Sequence, residues 1–75
     1  MPMSTKYALY WGHTLIHADL SYGDAQDKMA EFLNDNYDTG SIVFDRNSSS
    51  SSEKCWNITN RGILSDDYFV IKESN

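Results

Sequence analysis

Basic residues, cysteine and proline are all scarce in this sequence, with six lysines and arginines, one cysteine and one proline among 75 residues. With Cys55 as its sole cysteine the chain can form no intrachain disulfide, which excludes a secreted domain held by such bridges. Six bases face eleven acids, for a net charge of −5. That balance argues against binding a phosphate backbone, which needs lysine and arginine to displace counterions, and it favours basic partners. The four glycines, at 12, 23, 40 and 62, are scattered and form no phosphate-cradling loop. No serine sits in a Gly-x-Ser-x-Gly elbow. No apolar run is long enough to span a bilayer, and Met1-Pro2-Met3-Ser4-Thr5 lacks the charged-then-apolar pattern of a leader. A cytoplasmic location is therefore expected, and the glycosylation matches at Asn47 and Asn57 count as accidents.

What is present suffices for one small domain over residues 1–75. Hydrophobic residues make up 40% of the chain and aromatics 13%. A chain this short buries only about 60% of its unfolded surface, so the core must be thin. Large rings suit such a core, and tyrosine and tryptophan also suit the centre of an interface.

Alternation along residues 6–11 predicts a strand with Tyr7, Leu9 and Trp11 on one face and Lys6, Ala8 and Tyr10 on the other. Gly12-His13 reads as a turn and Thr14–His17 as a second short strand. Ser21 is a good N-cap, with Asp24 three residues on. Tyr22, Ala25, Met29, Phe32, Leu33 and Tyr37 then recur at helical steps, predicting an amphipathic helix to about residue 37 that Asp38-Thr39-Gly40 ends, Gly40 taking the left-handed position. Ser41–Arg46 reads as a strand. Asn47–Ser52 reads as a mobile serine-rich loop, and residues 1–5 as a flexible N-terminus. Residues 53–59 form a strand with Lys54, Trp56 and Ile58 opposite Cys55, Asn57 and Thr59. Asn60-Arg61-Gly62 turns, Ile63-Leu64 forms an apolar plug, and Ser65-Asp66-Asp67 turns again. Tyr68–Lys72 is the last strand. Its four consecutive apolar residues call for cover on both faces, from a central position or an extra partner. The expected fold class is α+β: one amphipathic helix on a four- to five-stranded antiparallel sheet, in the order β(β)αβββ, the last three strands forming a meander.

Charge is unevenly placed. Residues 21–40 hold five acids and one base, Lys28, or −4 of the total −5. Asp24, Asp27, Glu31, Asp35 and Asp38 step by three and four, which on a helix is one stripe opposite the apolar one. Such a stripe either serves as a solvated face or docks on a basic groove.

Other constellations are weaker. His13 and His17 have metal-ligand spacing only on a helix, and here they lie in strand and turn, so no metal and no cofactor are expected. Cys55 lies mid-strand with Lys54 on the opposite face, so its thiol is not activated and it reads as a small buried residue. Pro2 is separated from the first strand by Met3-Ser4-Thr5, unlike an N-terminal catalytic proline. Tyr10, Trp56 and Tyr68 are candidates for stacking bases, but residues 41–75 carry four bases against five acids.

The expected function is therefore non-enzymatic: a small protein-binding inhibitor or adaptor. Its partner would be a protein with a basic surface, such as a nucleic-acid-handling host protein. Phage or mobile-element anti-defence factors of the anti-CRISPR or anti-restriction kind are the analogy of size and charge. Expected contacts are Asp24, Asp27, Glu31, Asp35 and Asp38 on the helix, with Tyr68 and Val70 on the last strand while Phe69 and Ile71 face the helix. The alternatives are a housekeeping or regulatory homodimer and a single-stranded nucleic-acid binder using aromatics on the sheet. No membrane association is expected.

Overall fold

The computed structural model of the protein describes residues 5–74. Pro2 and all but Thr5 of the expected flexible N-terminus lie outside the described residues. The elements are β1 (Tyr7–Trp11), β2 (Thr14–Leu20), α1 (Tyr22–Asn36), β3 (Gly40–Phe44), a 3₁₀ turn (Arg46–Ser48), β4 (Glu53–Asn60) and β5 (Ile63–Glu73). All strand pairs are antiparallel, in the order β2-β1-β5-β4-β3. The helix lies across one face, giving the expected α+β architecture with five strands and the β3-β4-β5 meander.

The last strand is central, as its unbroken apolar run suggested: β5 pairs with β1 on one side and β4 on the other. Over residues 69–72 it therefore has a strand on each side, whereas residues 63–68 pair with β4 alone. Phe69 and Ile71 point towards the helix and are fully buried with Leu9 and Ile58. Burying side chains of this size is worth about 1.5–3 kcal/mol each. Trp11, Phe69, Trp56 and Phe44 lie in one cross-strand row, and Leu9 stands opposite Ile71 in the next.

The helix begins as its sequence predicts. Ser21 is the N-cap, and its Oγ accepts the Asp24 backbone N–H at 3.1 Å. Ala25, Met29 and Leu33 form its buried stripe, and half-buried Phe32 meets Phe69 edge-on, with ring centres 5.7 Å apart, and Trp11 at 5.4 Å.

The helix end differs from expectation. The C-cap is Tyr37 in an extended conformation, its N–H bonded to the Leu33 carbonyl, and Gly40 does not have positive φ. Gly40 is needed for closeness instead: a Cβ there would lie 2.7 Å from Tyr37 Cβ and 2.8 Å from Leu33 Cδ1. The absent side chain lets β3 start tight against the last helical turn.

The region 63–67 also differs. Ile63 and Leu64 do not fold back as a plug. They open β5 at the far end of the β4–β5 hairpin, 72% and 65% exposed, beyond a turn in which Arg61 and Gly62 both have positive φ, the type I′ pattern that suits a two-residue hairpin. Ser65-Asp66-Asp67 is not a turn between elements. It lies within β5, where the β4–β5 register shifts between Asn57 and Thr59. Ser65 Oγ accepts the Asp67 N–H, and the irregularity aims Asp67 at Tyr37. The Tyr37 hydroxyl donates to Asp67 Oδ2 at 2.9 Å and accepts from Trp11 Nε1 at 3.1 Å. This chain of bonds ties β1, the helix end and β5 together, and burial raises the Tyr37 pKa.

Two substitutions test this packing by thermal melting. Phe32→Ala should cost about 3 kcal/mol, the lower end for emptying an aromatic site, because Phe32 is only half-buried. Gly40→Ala should cost about 1–3 kcal/mol through overpacking against Leu33 and Tyr37. A Gly40→Ala protein that melts with wild type would show that β3 approaches the helix less closely.

Candidate binding surfaces

A single helix covers one face of the sheet, and the residues alternating with the core therefore line the other. Read across the strands, Tyr10, Val70 and Cys55 form one row, with Asp45 beyond Cys55, whose carbonyl accepts the Asp45 N–H at 2.9 Å. Tyr68, Asn57 and Val43 form the row on one side, and Ala8, Lys72 and Glu53 the row on the other. Apart from Val43 and Ala8, the residues of these rows line a groove of about 500 Å³. At one end stands His13, on the β1–β2 turn, its ring edge-on to Tyr68 at 6.4 Å. The other wall is the start of the serine run.

That run has defined partners. Asp45 Oδ1 accepts the Ser48 N–H, closing the 3₁₀ turn. Ser49 Oγ donates to the Asp45 carbonyl at 2.7 Å and accepts the Cys55 N–H at 3.0 Å. The Cys55 thiol donates to the Ser48 carbonyl at 3.2 Å. Ser50 N–H bonds to the Glu53 carbonyl, and the Ser52 carbonyl accepts from Glu73 N–H of β5. The polar composition announced a connector, whereas these bonds depend on β4 and β5 arriving alongside.

Two carboxylates, Asp45 and Glu53, line the groove. Bonds from Ser48 hold the Asp45 carboxyl below its usual range, against an opposing push from burial. Burial raises the Cys55 pKa, and nearby Glu53 and Asp45 raise it further. The thiol is therefore protonated at neutral pH and is a poor nucleophile. Lys72 is the one cation lining the groove. Among the described residues no group of three His, Cys, Asp or Glu is placed to hold a metal, and no helix is long and apolar enough to cross a membrane.

The acidic stripe lies on the other side of the molecule. Asp24, Asp27, Glu31 and Asp35 are exposed on the outer side of α1, within about 80° of arc at 3.6 residues per turn. Asp38, expected to complete the stripe, lies past the helix, and its Oδ2 accepts from Arg61 Nη2 at 3.1 Å. Both partners are largely exposed, so the pair adds little stability. The two sets of expected contacts are thus separate surfaces. Four helix carboxylates form one, and Tyr68 and Val70 belong to the groove on the opposite face. Of the three proposed stacking rings, Tyr10 and Tyr68 share the open face, while Trp56 is only 8% exposed on the helix side. Sequence reading missed the groove itself, and with it Asp45, Asn57 and His13 as its lining. Tyr10, Cys55 and Asn57 were already phased away from the core, but nothing local placed Asp45 and Ser48 above them.

Because the folded pKa of Asp45 is depressed, its bond to Ser48 contributes stability above the ordinary value of 3.8 and loses it as pH falls through the lower folded value. The Ser48 amide resonance should titrate with a midpoint below 3.8. Asp45→Ala should speed Cys55 alkylation at neutral pH, since it both loosens the cover and removes a negative neighbour. An unchanged alkylation rate would show that Asp45 does not hold this segment.

Among known proteins, no family model, no curated protein and no solved structure matches this chain.

Proposed function

We propose that this protein is a non-enzymatic protein-binding domain whose acidic helix docks on a basic surface of another protein. A surface that otherwise holds nucleic acid has the matching charge, which makes inhibition by occupation of that surface the natural mode of action. The observation that carries this reading is the stripe of four exposed carboxylates, Asp24, Asp27, Glu31 and Asp35, with no cation bridged to any of them among the described residues.

The stripe costs the free domain stability. Asp27, Glu31 and Asp35 repel at successive i,i+4 steps, by about 0.2–0.5 kcal/mol per pair. Asp35 lies in the last turn, where the helix dipole disfavours negative charge by about 0.3–1 kcal/mol, and no basic residue lies there to offset it. A face selected only for solubility gains nothing from this arrangement, whereas a face that meets a cationic partner recovers the cost on binding. The nucleic-acid alternative has less support, because Trp56 is in the core and the open sheet face carries Asp45 and Glu53 against Lys72.

Two variants separate stability from binding. Asp35→Lys should raise the melting temperature by a few degrees, relieving the dipole and the repulsion from Glu31. The triple variant Asp27→Lys, Glu31→Lys, Asp35→Lys should keep the fold and lose the partner retained by immobilised wild-type protein. Heparin and rising salt should release that same partner, since screening acts beyond about 10 Å at 0.1 M. Equal retention by wild type and the triple variant removes the helix stripe from the function.

A further inference from the structure

We propose that the groove on the uncovered sheet face receives one cationic side chain, an arginine or a lysine projecting from a protein partner. This deepens the reading of the protein as a binder of basic partners, on which it rests, but it concerns a different surface from the helix stripe.

Three features select this occupant. The groove, at about 500 Å³, has room for one long side chain together with its neighbouring backbone. Its walls and floor bring together the rings of Tyr10, Tyr68 and His13, and tyrosine faces attract guanidinium and ammonium groups. The charges also match. Asp45 and Glu53 line the groove against the single cation Lys72, which stands across the strand pair from Glu53. Burial is the main cause of the raised Cys55 pKa, and Glu53 and Asp45 add to it. An anionic ligand would meet these acids unfavourably, and a purely apolar one would leave two carboxylates to be desolvated without a partner. An arginine can lay its stem along Val70, face a tyrosine ring and direct its N–H groups to a carboxylate.

The test is an amide-resolved NMR titration of the full chain with the blocked tripeptide acetyl-Gly-Arg-Gly-amide, with acetyl-Gly-Glu-Gly-amide as control. Saturable shifts are expected for the arginine peptide at Tyr10, Cys55, Asn57 and Val70. Glu53→Gln and Tyr68→Leu, which spare the Asp45 cap, should each weaken binding roughly two- to five-fold, the size of an exposed cation–π contact. The helix variant Asp27→Lys, Glu31→Lys, Asp35→Lys should bind the peptide as wild type does. Equal shifts with both peptides overturn the proposal, as does the absence of saturable shifts at these amides. Shifts confined to the helix and lost in the triple variant overturn the groove while leaving the acidic-helix reading intact. Groove binding that persists when the triple variant still retains its partner supports the groove and sinks the helix stripe.

Discussion

Phe69 sits at the middle of the central strand, closed in by Trp11 and Trp56 across the sheet and by Phe32 from the helix. Everything else depends on how one helix of fifteen residues can cover such a centre. It reaches β1, β2 and β5 and the start of β3, but a five-stranded sheet has two faces and the chain has one helix. One face becomes core, and the other must manage with side chains and a short loop. The thin core expected of a chain this size thus takes a definite form, an inside with one wall of helix and one of sheet.

That one-sided cover accounts for the local irregularities. At the helix end the sheet and helix must meet without a further turn of helix to fill the gap. Gly40 solves this by having no side chain to collide with Leu33 and Tyr37. The shifted register of β5 brings Asp67 to the Tyr37 hydroxyl, so that a polar side chain at the rim is satisfied on both of its bonding sides. On the opposite face the serine run serves as a partial roof, using its carbonyls and hydroxyls where apolar side chains are lacking. A floor of Tyr10, Val70 and Cys55 beneath that roof's edge is the direct consequence.

Charge follows the same division. The helix face turned from the core carries acids to its last turn, while the sheet face mixes rings with two carboxylates and a lysine. The long β4–β5 hairpin projects away from both, with Ile63 and Leu64 exposed near its tip.

Periodicity alone determined the main elements. A spacing of two placed Tyr7, Leu9 and Trp11 on one face and phased Phe69 and Ile71 inward; spacings of three and four set the helix and its acidic stripe; the apolar run 68–71 called for cover on both faces, from a central position or an extra partner. These are local patterns, and one face of one element suffices to produce them. Only the tertiary structure decided the rest. Asp38 left the stripe because the helix ended before it and the β4–β5 turn brought Arg61 within reach. Trp56 left the candidate stacking set because its alternation placed it under the helix, a side that only the assembled sheet identifies. Asp45, Ser48, Asn57 and His13 became neighbours of Tyr68 through the pairing of strands far apart in sequence. Such a groove has no local signature, since its residues come from four segments whose register is set by hydrogen bonds between them.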